Sequence, residues 1–111
     1  MAFNESLAAR IRNALARKKC VEEKKMFGGI GFLLNGNMLV GVWKDSLIVR
    51  LGPEEGEEAL KETHVSEFNF TGRAMKGWVL VAPEGVEPDE QLSGWIDRAV
   101  KFVGKLPAKE K

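Results

Sequence analysis

Met26-Phe27-Gly28-Gly29-Ile30-Gly31-Phe32-Leu33-Leu34-Asn35-Gly36-Asn37-Met38 places three glycines in four residues directly before an apolar run that turns on Asn-Gly. Glycines that dense either hold the backbone at positive φ or let another group approach it closely. Asn-Gly between two apolar runs is the strongest short-range signal of a two-residue hairpin. The stretch therefore predicts residues 30–34 paired with 38–43. Lys44-Asp45-Ser46 reads as a second turn into Leu47-Ile48-Val49-Arg50-Leu51, which extends the hairpin to a three-stranded meander.

Helices are expected on either side. Leu7, Ile11, Ala14 and Leu15 share one helical face, predicting a helix over residues 5–19 with Asn4 as N-cap and Arg17, Lys18 and Lys19 at the negative end of its dipole. Gly52-Pro53-Glu54-Glu55 opens a short polar helix reaching about residue 62, since proline suits the first helical position and acids the positive end. Phe68-Asn69-Phe70 predicts a short strand, 71–76 a connection, and Gly77-Trp78-Val79-Leu80-Val81 the final strand. Leu92, Trp95, Ile96, Ala99, Val100, Val103 and Leu106 form the apolar stripe of a last helix. The order is α-β-β-β-α-β-β-α. Strands in hairpin-connected groups favour an antiparallel sheet over a doubly wound one, and two amphipathic helices need one of its faces. The expected fold is α+β, a two-layer sandwich with a five-stranded antiparallel sheet.

A chain of 111 residues fits a single domain over 1–111. Its 17 basic and 16 acidic residues nearly cancel, which disfavours direct nucleic-acid binding and recruitment to a membrane surface. A lone cysteine, Cys20, excludes an intramolecular disulfide and suits a reducing cytosol. The N-terminus has no basic segment leading into an apolar run, and no stretch approaches the length of a membrane span, so the expected location is cytoplasmic. Charge is unevenly spread. Arg10, Arg12, Arg17, Lys18, Lys19, Lys24 and Lys25 outnumber the acids before residue 26, whereas Glu54, Glu55, Glu57, Glu58 and Glu62 face only Lys61. Such poles favour a homodimer or a polar protein partner, or else are two solvated helix faces.

Residues able to carry chemistry are sparse. One histidine and one cysteine give no metal-ligand spacing, no Asp-x-Asp calcium loop is present, and no cofactor is expected. Cys20 with His64 is the one conceivable thiol–imidazole pair, with Lys18, Lys19, Lys24 and Lys25 near the cysteine in sequence. Gly28-Gly29-Ile30-Gly31 lacks the Gly-Lys-Ser/Thr of a phosphate loop and leads into a strand rather than a helix, so a structural role in the hairpin is favoured. Thr71-Gly72-Arg73-Ala74-Met75-Lys76-Gly77-Trp78 joins two cations, two glycines and a tryptophan. Arg73 and Lys76 could clamp an anion while Trp78 stacks on it, or Trp78 is core and the cations are solvated. Arg50, in an otherwise apolar strand, must face solvent or find a partner.

Taken together, Met26-Phe27-Gly28-Gly29-x-Gly31-Phe32, Asn35-Gly36-Asn37-Met38, Leu47 through Pro53, Phe70-Thr71-Gly72-Arg73-x-Met75-Lys76-Gly77-Trp78 and the closing helix at Leu106-Pro107 resemble the TfoX N-terminal domain family over about residues 20–107. The resemblance implies a fold like that of type III secretion chaperones and YgaC-like proteins, with a twisted five-stranded antiparallel sheet. It also implies a link to the TfoX/Sxy regulators of natural competence, which act with a cyclic-AMP receptor protein at certain promoters. The Gly72-Arg73 and Lys76-Gly77-Trp78 motif is similar to that of the stand-alone members, which lack a second, C-terminal domain.

The function expected on these grounds is a non-enzymatic regulatory or protein-interaction module, a homodimer, with a partner in the transcription machinery by family analogy. The alternative is a binder of an anionic small molecule or nucleic acid through the Gly28–Gly31 loop with Arg73 and Lys76. For either, the candidate binding residues are Gly28, Gly29, Arg50, Arg73, Lys76 and Trp78. An enzyme built on Cys20 and His64 ranks last.

Overall fold

The computed structural model describes residues 5–16, 18, 20–26, 29–68 and 77–106. Its elements run α1 (Glu5–Ala14), β1 (Val21–Met26), β2 (Gly29–Leu34), β3 (Asn37–Trp43), β4 (Ser46–Arg50), α2 (Pro53–Ala59), β5 (Val65–Glu67), β6 (Trp78–Val81), a 3-10 turn (Pro83–Gly85) and α3 (Asp89–Val103). The six strands form one sheet in the order β1-β2-β3-β4-β6-β5, antiparallel throughout.

The fold class is the expected α+β arrangement, but the sheet has six strands rather than five. The additional strand is β1, whose sequence Val-Glu-Glu-Lys-Lys-Met has no apolar alternation to announce it. Its backbone ladder to β2 defines it, and residues 22–25 are exposed. Three other boundaries move. Helix α1 stops at Ala14, where the chain turns toward β1. Helix α2 stops at Ala59. Strand β5 occupies Val65–Glu67, ahead of the expected Phe68-Asn69-Phe70, of which Phe68 is buried and the other two lie outside the described residues.

The hairpin at Asn35-Gly36 forms as the sequence predicts. Both residues hold positive φ, 54° and 82°, and Leu34 pairs with Asn37, a geometry matched to the strand twist. One irregularity follows: Phe32 pairs with Val40 but Leu33 with Met38, so β3 carries an extra residue, Leu39, in a bulge. Leu39 and Val40 are consequently both buried.

The sheet has two unlike faces. Ile30, Phe32, Val40, Val42, Leu47, Val49, Val79 and Val81 point to the helix layer and pack with Leu7, Ile11, Leu92, Trp95, Ile96, Ala99 and Val103. The expected stripe on α3 is thus the inner wall of the core. On the opposite parity lie Gly41 and Trp43 of β3, Ile48 and Arg50 of β4, and Trp78 and Leu80 of β6. Ile48 is fully buried yet lies outside the helix-side cluster, so this outer face has packing of its own. Among the described residues no helix is long and apolar enough to cross a membrane.

Candidate functional site

Two of the sequence motifs meet at a backbone junction. The Leu51 and Gly52 amides both donate to the Gly77 carbonyl, at 2.8 and 3.1 Å. Gly52 and Gly77 hold φ of +89° and +90°, a region that L side chains rarely enter. There is also no room for a side chain. A Cβ on Gly77 would stand 3.0 Å from the Gly52 carbonyl carbon, one on Gly56 3.0 Å from the Gly77 Cα, and one on Gly52 2.5 Å from the Phe102 ring. The start of α2, the end of β4 and the start of β6 are therefore locked together without side chains between them.

That junction sets Arg50 opposite Trp78. The two are cross-strand partners at the ends of β4 and β6, and the Arg50 guanidinium carbon sits 5.2 Å from the Trp78 ring centroid and 5.9 Å from that of Phe102. Such spacing is within cation–π range. Among the described residues Arg50 has no carboxylate partner, and loss of water pulls its guanidinium below the usual arginine range while leaving it charged. Beside it, a groove of about 640 Å³ runs between α2 and α3, lined by Gly52, Glu54, Glu55, Arg98, Lys101 and Phe102 among others. Arg98 there bridges to Glu62 at 3.1 Å and Glu55 at 3.8 Å, so α3 supplies the countercharge to the acidic α2.

From Trp78 an aromatic row crosses the outer face. Phe68 lies 6.3 Å from Trp78 and 6.4 Å from Trp43, the latter pair edge to face. Lys44 Nζ stands 4.9 Å from the Trp43 ring, so a cation closes each end of the row. Phe68 is buried, whereas Trp43 and Trp78 are half-buried. Trp78 is thus neither the fully buried core residue nor the free stacking platform that its sequence context offered.

Of the sequence-derived candidates, Arg50 and Trp78 come together. Gly29 does not join them. It sits beside Val42 and Trp43, near the β3–β4 turn, whereas Arg50 and Trp78 close the other end of β4. A Cβ on Gly29 would collide with the Val42 carbonyl oxygen, which makes this glycine a packing requirement. Gly28, Arg73 and Lys76 lie outside the described residues. Cys20 and His64 precede β1 and β5, the two opposite edges of the sheet. Five strand spacings, roughly 24 Å, separate those edges, far beyond contact of a thiol with an imidazole. Among the described residues no three His, Cys, Asp or Glu side chains gather as a metal would require.

Trp43, Lys44, Phe68 and Phe102 were not singled out from the sequence as site residues. The available signal was strand parity: both strand tryptophans fall on the positions opposite to the core valines. Phe102 had no such signal, because its approach to Arg50 depends on how α3 lies across the end of the sheet.

A family model described as the TfoX N-terminal domain matches residues 13–103 of the chain. No curated protein matches it.

Proposed function

The match spans most of the 111 residues, so the chain belongs to the TfoX N-terminal domain family, and from that membership we propose a non-enzymatic regulatory module that binds a protein partner on the outer face of its sheet. The observation that carries this reading is Arg50, seated against Trp78 and Phe102 without a carboxylate among the described residues. Holding a partly desolvated cation unpaired costs free energy, and that cost is offset when a partner delivers a carboxylate to it. Tryptophan and arginine are also the residues that most often dominate binding energy at protein interfaces. The row from Lys44 through Trp43, Phe68 and Trp78 to Arg50 suits an acidic segment with apolar side chains, its carboxylates at the two cations and its apolar groups on the rings. By analogy with the competence regulators of the family, the partner belongs to the transcription machinery and the module acts in the cytoplasm.

The test is a titration of the purified protein against RNA polymerase and the cyclic-AMP receptor protein of its host, repeated with Arg50→Ala and Trp78→Ala. One of the two proteins is expected to bind the wild type, with affinity reduced roughly tenfold or more in each variant. Wild-type binding to neither, or equal binding by all three proteins, contradicts the reading. A second reading, an anion binder, is favoured by the same Arg50, which has no carboxylate partner among the described residues, and by the Lys101 wall of the groove beside it. It predicts that pyrophosphate or a short single-stranded oligonucleotide quenches tryptophan fluorescence in the wild type but not in Arg50→Ala. On the protein-partner reading neither ligand has an effect.

A further inference from the structure

Among the described residues strand β1 is an open edge, and its composition is unusual. It runs for six residues with an unbroken register to β2, without proline or bulge. Edges left in that state are templates for another strand unless their charges forbid it. The hydrogen-bonding pattern identifies which groups are open. The Asn35 amide donates to the Cys20 carbonyl directly opposite, so residues 20, 22, 24 and 26 turn their backbone groups toward β2. Val21, Glu23 and Lys25 therefore turn theirs outward, away from the sheet.

We propose that two copies of this chain join edge to edge through β1, antiparallel, about a two-fold axis normal to the sheet and centred on Glu23. Antiparallel partners that face each other carry their side chains on the same face, so a two-fold pairing must match residues of equal parity. Among such registers, the one centred on Glu23 uses all three outward residues of each copy: Val21 opposite Lys25, Glu23 opposite Glu23, and Lys25 opposite Val21. On the outer face it sets Glu22 against Lys24 twice, opposite charges directly across the ladder.

The one like-charged pair is already compensated. Glu23 accepts two hydrogen bonds from Arg12 of its own chain, Nε at 2.9 Å and Nη2 at 2.6 Å. Each copy would bring that neutral pair to the axis, with Lys25 of the other copy diagonally across the ladder. A register centred on Lys24 also sets opposite charges together, Glu23 against Lys25 twice, but it leaves one outward residue of each strand without its match in the other strand and opposes two lysines that have no ion pair among the described residues. The alternating charges that blunt this edge toward unrelated strands thus suit a second copy, and the full set of outward residues with the Arg12-compensated Glu23 at the axis selects the Glu23-centred register. The surface is separate from Arg50 and Trp78, which lie on β4 and β6, and does not depend on the partner they bind.

Sedimentation equilibrium of the full chain tests the pairing. The wild type is expected to be a dimer. Glu22→Lys and Lys24→Glu should each weaken it roughly tenfold or more, because two attractive pairs become repulsive. The double variant Glu22→Lys/Lys24→Glu should recover wild-type association, since the charges are opposite again. Glu23→Pro removes an N–H that points away from β2, and should give a monomer with an unchanged circular-dichroism spectrum. If that variant fails to fold, the charge-swap series decides. A monomeric wild type, a dimer indifferent to both single charge reversals, or a double variant no better than either single one overturns the proposal.

Discussion

Gly77 holds φ at +90° with its Cα and carbonyl carbon against Gly56 and its own hydrogen-side face against Gly52, so a methyl group there is opposed twice, by backbone conformation and by contact. Gly77→Ala is expected to cost about 2 to 4 kcal/mol in urea unfolding, and Gly52→Ala about 1 to 2 kcal/mol, chiefly through its φ of +89°. A loss below about 0.5 kcal/mol would show that the junction is loose. Glu23 offers a pH test at the same scale. The Arg12 hydrogen bonds hold its carboxyl below the usual glutamate range. A carboxyl with a lowered folded-state pKa contributes stability above its unfolded value, about 4.3, and loses it as the pH falls through the folded value. The stability gap between wild type and Glu23→Gln should therefore be open at pH 7 and close as the pH drops below about 4. A gap that widens in acid contradicts the assignment. Both side chains are substantially exposed, so the gap will be modest.

Elements were legible in the sequence where local chemistry decides them. The Asn35-Gly36 turn and the α3 stripe needed no tertiary information, since one is set by positive φ and the other by helical period. Gly36→Ala is expected to destabilise by about 1 kcal/mol through its φ of 82°. Strand β1 was not legible, because a two-sided polar strand has the composition of a solvated loop until β2 is there to pair with it. The β3 bulge hid a second feature. By placing Leu39 and Val40 both inward, it blurs the alternation that would have marked Trp43 as facing the other side.

At the scale of the whole molecule, one sheet serves two environments: a helix-covered core, and an outer face with a smaller aromatic cluster. Ile48 is buried at 0 % exposure on that outer face, so Ile48→Ala should cost about 3 kcal/mol, as a truncation in the main core would. A near-neutral result would mean that the outer face closes over the lost volume. The sequence pointed to Arg50 and Trp78 separately, but their meeting depends on the glycine junction and on strand order, which no local pattern encodes. Three tryptophans report on the two sides of the sheet: Trp43 and Trp78 on the outer face, Trp95 on the inner side of α3 in the helix-side core. Their indole N–H resonances in a nitrogen-15-labelled sample, followed while the transcription partner is added, test the working surface directly. The Trp43 and Trp78 signals should shift or broaden while Trp95 stays in place, whereas a shift confined to Trp95, or none in the presence of proven binding, would contradict it.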